Sequence, residues 1–142
     1  MHGSGAIFRQ CEQRKARLPV RCTEIAFRHV RQRLVEIRSE TLDLHIIGLA
    51  KNGLEAVKLC KQTMPDLATM DLTMPELDGV QTISKLMQIN PDMLILVVSA
   101  LSDKATAIEA LKRGAHGFLG KPFSDIELTE ALEELIYAGS HS

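Results

Sequence analysis

The chain of 142 residues has no tryptophan, one tyrosine and four phenylalanines, and it has only three cysteines. Cys11, Cys22 and Cys60 are an odd number without the spacing of zinc ligands, which excludes a disulfide framework and a zinc site. No apolar run approaches the ~20 residues that a membrane-spanning helix needs. These absences predict a cytoplasmic, reduced protein with one hydrophobic core and no membrane partner.

Net charge is also small, at −1, but it is unevenly distributed. Residues 1–40 contain nine Lys and Arg against four Glu, whereas residues 41–142 contain eight basic and fourteen acidic residues. A basic arm can bind nucleic acid, because cations neutralise its phosphates. Here, however, the cations are interleaved with glutamates, as on a solvated helix face. We therefore expect no nucleic-acid partner.

From residue 41 onward, short apolar runs alternate with amphipathic stretches. The predicted strands cover residues 44–49, 66–71, 93–98 and 116–119, and each precedes a predicted helix. The run at 93–98 is entirely apolar, which is typical of a parallel strand that is buried on both faces. Four strand–helix repeats predict an α/β fold with a doubly wound parallel sheet, flavodoxin-like, in three αβα layers.

The first strand of this architecture is atypical or replaced. Residues 20–27 are a poor candidate, because Arg21, Thr23 and Glu24 interrupt the apolar pattern. Alternatively, Thr23 caps one long helix that continues through the apolar stripe near 29–40. The sequence leaves both interpretations open.

If the position of the first strand in the centre of the sheet were empty, backbone groups of its two neighbouring strands would be buried without partners. Each such group would cost about 1–3 kcal/mol of stability. The position must therefore be filled by residues 20–27, by a strand from a second copy in a swapped dimer, or by a rearranged sheet. We divide the chain into an atypical basic segment, 1–28, and a main domain, 29–142.

Three polar residues follow predicted strands at the edge where open α/β sheets bind ligands. They are Asp71, Ser99 and Lys121. A carboxylate can attack phosphorus, and a hydroxyl and an ammonium can neutralise phosphoryl oxygens. Lys121–Pro122 is a candidate cis peptide that would orient the ammonium. No Gly-rich or Ser/Thr-rich phosphate loop follows any strand, which argues against a flavin-binding alternative.

Three motifs carry a family resemblance: MDLTMPELDG at 70–79, VVSA at 97–100 and GAHGFLGKPF at 114–123. They resemble receiver domains of two-component response regulators, which are CheY-like in architecture. The resemblance implies a phosphorelay module in which Asp71 takes the phosphoryl group from the phosphohistidine of a histidine kinase.

The resemblance also implies the roles of the other residues. Ser99 and Lys121 would bond the phosphoryl group, and Ser99 with Phe118 would form a conformational switch. Asp71 and the backbone carbonyl of Thr73 would bind Mg²⁺. The receiver would assist only its own phosphorylation and dephosphorylation, so it is not an enzyme in the usual sense.

The sequence departs from the family at the Mg²⁺ site. The family has an acidic pair at the end of its first strand, and counting back from Asn52-Gly53 places those positions at Ile25 to Phe27. None of them is acidic. Glu24 is the nearest carboxylate and a candidate metal ligand, but it is displaced. Mg²⁺ usually needs one or two carboxylates, so we expect weak or absent binding.

Two functions follow from these observations. The first is a receiver that signals to a downstream protein target through the face built by the last two helices and the last strand. Because the last predicted helix ends near Tyr137, we expect no output domain after it. The alternative, motivated by the missing acidic pair, is a non-phosphorylatable pseudo-receiver that acts as a binding or scaffold protein.

Overall fold

A computed structural model describes residues 20–27, 42–72, 79–100 and 102–141. Its elements, in chain order, are β1 Val20–Phe27, β2 Leu42–Ala50, α1 Gly53–Thr63, β3 Leu67–Asp71, α2 Gly79–Ile89, β4 Leu94–Ala100, α3 Lys104–Lys112, β5 Gly117–Lys121 and α4 Asp125–His141. Within these ranges, no helix combines the length and the apolar character needed to span a membrane.

The five strands form one parallel sheet in the order β2-β1-β3-β4-β5. This is the flavodoxin-like order, so the predicted fold class is confirmed. Strand β3 is buried along its whole length and β4 along all but its last residue, as the apolar run at 93–98 predicted. Helices α1, α2 and α3 pack on one face of the sheet and α4 packs on the other, which gives the three layers.

Local sequence signals set the ends of several helices. The Asn52 side chain caps α1 by accepting a hydrogen bond from the Glu55 N–H at 2.8 Å. Ser124 and Glu127 form a capping box, in which each side chain accepts from the other residue's N–H, at 3.1 and 3.0 Å. Gly114 follows α3 with φ +123°, a conformation that favours glycine.

The central position of the sheet is filled by β1, between β2 and β3, from the same chain. The alternative of one long helix that begins at Thr23 is therefore wrong. Strand β1 also places eight residues of the segment assigned to 1–28 inside the sheet, so the boundary drawn at residue 29 cuts through the folded unit. The apolar stripe near 29–40 lies outside the described residues.

Hydrogen bonds between Thr23 and Asp66, called the polar clasp below, explain how a strand that contains polar residues fits in the centre of the sheet. The N–H and the hydroxyl of Thr23 both donate to Asp66 Oδ2, at 2.9 and 3.0 Å. In return, the Asp66 N–H donates to the carbonyl oxygen of Thr23 at 3.1 Å. Asp66 directly precedes β3, so the clasp fixes the register in which Glu24 lies opposite Leu67. The polar residue that weakened the strand prediction thus stabilises the pairing.

Removing this clasp should destabilise the domain. Asp66→Ala eliminates both bonds to the carboxylate and leaves partly buried donors unpaired, so we expect the free energy of unfolding to fall by about 3 kcal/mol. Urea denaturation measures the change. Glu130→Ala, at an exposed position of α4, is the control and should change stability by less than about 0.5 kcal/mol. Equal effects of the two substitutions would show that the clasp contributes nothing.

Candidate functional site

The carboxylate of Asp71 and the ammonium of Lys121 meet at one edge of the sheet. Lys121 Nζ lies 2.6 Å from Asp71 Oδ2. The Asp71 side chain has no exposed surface, whereas that of Lys121 is 37% exposed. The structure therefore joins a fully buried carboxylate to a cation that solvent still reaches, as the strand-end pattern predicted.

Strand register produces this contact. Asp71 is the last residue of β3 and pairs with Val98 of β4, and Lys121 is the last residue of β5 and pairs with Ala100 of β4. Parallel strands present their carboxyl ends at the same edge, so the two residues finish near one another with β4 between them. The long Lys121 side chain then spans β4.

Ser99 lies on that intervening strand, one residue beyond the partner of Asp71. It is completely buried, and its Oγ has no hydrogen-bond partner within the part of the chain that the structure describes. An unpaired buried hydroxyl costs about 1–3 kcal/mol. Ser99 is thus an available donor for an oxyanion placed at this edge.

Phe118 lies on β5 opposite Val97 and packs, partly buried, against the same core cluster as Val97. Ser99 is two residues after Val97, so the side chains of Ser99 and Phe118 belong to the same face of the sheet. The Lys121–Pro122 peptide is cis, as anticipated. Thr73, the expected source of a metal-binding carbonyl, lies outside the described residues.

Glu24 does not join this site. It pairs with Leu67, four residues before Asp71, and it is completely buried on the sheet. The Thr69 hydroxyl donates to Glu24 Oε2, and Oε1 has no partner among the described residues. Burial raises the pKa of Glu24 to about 8, against the lowering effect of the Thr69 hydrogen bond. This placement gives no support to Glu24 as a metal ligand beside Asp71.

Sequence reasoning missed Thr69 as the partner of Glu24. A signal was present, since Thr69 is the one hydroxyl residue within the buried run of β3, and polar groups in such runs are normally hydrogen-bonded. The Asp66 clasp had a similar signal, because an acidic residue directly precedes the same strand. Neither signal identifies the partner residue unless the register of β1 against β3 is known.

The family model described as response regulator receiver domain matches residues 27–133. The chain belongs to this family. Among its relatives, this receiver is 44% identical over 90 residues to the chemotaxis protein CheY of Thermotoga maritima, a match that covers 63% of this chain and 75% of that protein. The chemotaxis protein CheY of Listeria monocytogenes is 38% identical over 92 residues, with 65% and 77% covered.

Solved structures agree with the fold. The response regulator domain of Thermotoga maritima CheB superposes with a TM-score of 0.70 at 29% identity, and the match covers 87% of this receiver and 98% of that chain. The receiver domain of the NarL regulator from Mycobacterium tuberculosis gives a TM-score of 0.70 at 26% identity, with 83% and 98% covered. The comparisons offer no support for the pseudo-receiver alternative.

Receiver domains typically bind Mg²⁺ in an acidic pocket. The side-chain oxygens that the described residues place near Asp71 do not fit a Mg²⁺ ion. In the described ranges, no cluster of three or more His, Cys, Asp and Glu side chains could hold a metal ion. The end of β1 supplies Ile25, Ala26 and Phe27, none of which offers a side-chain oxygen. Asp71 is the acidic side chain that the described residues place at this edge, and its Oδ2 is already in contact with the Lys121 ammonium.

Proposed function

We propose that this receiver accepts a phosphoryl group on Asp71 from a histidine kinase in the cytoplasm and signals by contact with a downstream protein. The observation that carries the proposal is the 2.6 Å contact between Asp71 Oδ2 and Lys121 Nζ at the carboxyl edge of the sheet. The family supports the general role, because receiver domains interact with histidine kinases and downstream targets.

Each residue has a defined part in this proposal. Asp71 is the nucleophile: one carboxylate oxygen bonds to phosphorus as the bond from phosphorus to the donor breaks. Lys121 neutralises negative charge on the phosphoryl oxygens and keeps the carboxylate in place. The Ser99 hydroxyl donates to a phosphoryl oxygen once the group is attached. Any Mg²⁺ contribution would be weak, since the described residues lack an acidic pocket.

Signalling would follow from the new bond at Ser99. When the Ser99 hydroxyl moves to bond the phosphoryl group, it changes the space available on the sheet face that it shares with Phe118. That change would favour one of two arrangements of the Phe118 ring over the other. The output surface would be the face formed by α3, β5 and α4. Two of these elements have exposed large apolar side chains: Ile108 and Leu111 of α3 and Ile126 of α4. Exposed apolar groups of this kind fit a protein partner.

Acetyl phosphate tests the proposal without a cognate kinase. Incubation of the full chain with acetyl phosphate and Mg²⁺ should add the mass of one phosphoryl group, and hydroxylamine, which cleaves acyl phosphates, should remove it. Asp71→Asn should abolish the adduct, because the amide is a poor nucleophile. Asp125→Asn, at an exposed position of α4, is the matched control and should retain it. An adduct that survives in Asp71→Asn would contradict the assignment of Asp71.

A further inference from the structure

The charge balance of the Asp71 site differs from that of a cation site. Within the described residues, the side-chain pair consists of one carboxylate and one ammonium, so its formal charges cancel. A divalent cation at Asp71 would lie close to the Lys121 ammonium, which is 2.6 Å from Asp71 Oδ2. Coulomb repulsion between two cations is large where solvent screening is weak, and the end of β1, Ile25 to Phe27, has no carboxylate to compensate for it. The pair therefore has little attraction for Mg²⁺.

The same arrangement favours an oxyanion. The Lys121 ammonium carries hydrogen-bond donors, and its side chain is 37% exposed, so a ligand can approach it from solvent. Ser99 Oγ is completely buried, has no partner among the described atoms, and lies on the strand between Asp71 and Lys121. A phosphoryl oxygen would satisfy this hydroxyl, and its charge would be balanced by the ammonium.

We propose, on the basis of the function proposed above, that Asp71 is phosphorylated without a divalent metal ion, with the Lys121 ammonium and the Ser99 hydroxyl as the described groups that stabilise the phosphoryl oxygens. With acetyl phosphate, an Asp71 carboxylate oxygen forms a bond to phosphorus as the bond between phosphorus and the acetate oxygen breaks. Acetate leaves with that electron pair, and no proton has to move.

The test compares the rate of adduct formation from acetyl phosphate in excess EDTA with the rate in millimolar Mg²⁺, followed by intact-mass spectrometry. We expect rates that agree within about threefold, a small change in barrier. An adduct that forms in Mg²⁺ but not in EDTA would leave the proposed function standing and overturn metal independence. Absence of the adduct in both conditions would overturn both proposals.

An equilibrium measurement provides a readout that does not depend on phosphoryl transfer. Calorimetric titration of the unphosphorylated chain with MgCl₂ should give no saturable heat in the millimolar range, because the described donors are too few for this cation. Asp71→Asn, titrated in parallel, should give the same trace. Saturable binding that disappears in Asp71→Asn would place Mg²⁺ at Asp71 and contradict the inference.

Discussion

Lys121→Ala is expected to slow the phosphorylation of Asp71 by roughly 10²–10³-fold, the loss that follows removal of one well-placed donor to a developing oxyanion. The expectation rests on the direct contact between the ammonium and Asp71 Oδ2. Without that ammonium, the incoming phosphoryl oxygens and the carboxylate repel one another. Time courses of adduct formation from acetyl phosphate measure the rate.

Two further variants separate the role of charge from nonspecific damage. Lys121→Arg keeps the positive charge but replaces a compact ammonium with a planar fork, so its rate should fall between wild type and Lys121→Ala. Lys112→Ala removes an exposed lysine from the last turn of α3 and should leave the rate unchanged. A Lys121→Ala rate equal to wild type would mean that the ammonium plays no part in phosphoryl transfer.

Lys121→Ala also removes the ammonium that contacts the fully buried Asp71, and the loss of one partner of a buried charge destabilises a folded domain. Stability must therefore be measured with the rate. The double variant Asp71→Asn/Lys121→Ala removes both charges and should regain stability relative to Lys121→Ala. A slow rate in a variant that still melts cooperatively, above the temperature of the assay, would assign the loss to chemistry rather than to unfolding.

Glu24→Gln should stabilise the domain relative to wild type at alkaline pH. The pKa of Glu24 is raised from 4.5 to about 8 because burial disfavours the charged carboxylate. The folded state therefore binds more protons than the unfolded state between these two values, and wild-type stability falls as pH rises from about 4.5 to about 8. At 1.36 kcal/mol per pKa unit, the loss has an upper bound of about 5 kcal/mol. Below about pH 4.5, Glu24 is protonated in both the folded and the unfolded state, so it contributes no pH dependence to the free energy of unfolding.

Glutamine has the shape of the protonated acid and can still accept from the Thr69 hydroxyl, but it does not ionise. Urea unfolding at pH 5, 7 and 9 should show the stability difference between Glu24→Gln and wild type growing by several kcal/mol across the series. Glu130→Gln, at an exposed position, should show no such growth. A difference that is constant with pH would mean that Glu24 is not held neutral by its surroundings.

The sequence predicted most of this fold because local and global signals agree after residue 41. The apolar run at 93–98, the Ser124–Glu127 capping box and Gly114 each specify one element without reference to the rest of the chain. The candidate site was predictable for a related reason. Polar residues at the carboxyl ends of parallel strands share one edge of the sheet, so Asp71 and Lys121 could be paired before their distance was known.

Strand β1 could not be decided from the sequence, because its fit depends on partners 43 and 45 residues away. Thr23 is bonded to Asp66, and Glu24 accepts at Oε2 from the Thr69 hydroxyl. Strand propensity rates these residues as unfavourable, because it depends on the residue type and not on the hydrogen-bond partner that the side chain meets in the sheet. The placement of Glu24 away from Asp71 follows from the same register, which only the assembled sheet supplies.

The most direct test of the account is chemical trapping of the phosphorylated residue. Borohydride reduces an aspartyl phosphate to homoserine, and peptide mass spectrometry then locates the change. After treatment with acetyl phosphate, we expect homoserine at position 71 and at no other aspartate. Homoserine at a different position, or an unmodified Asp71 in protein that carries a phosphoryl adduct, would contradict the claim that this buried carboxylate beside Lys121 is the acceptor.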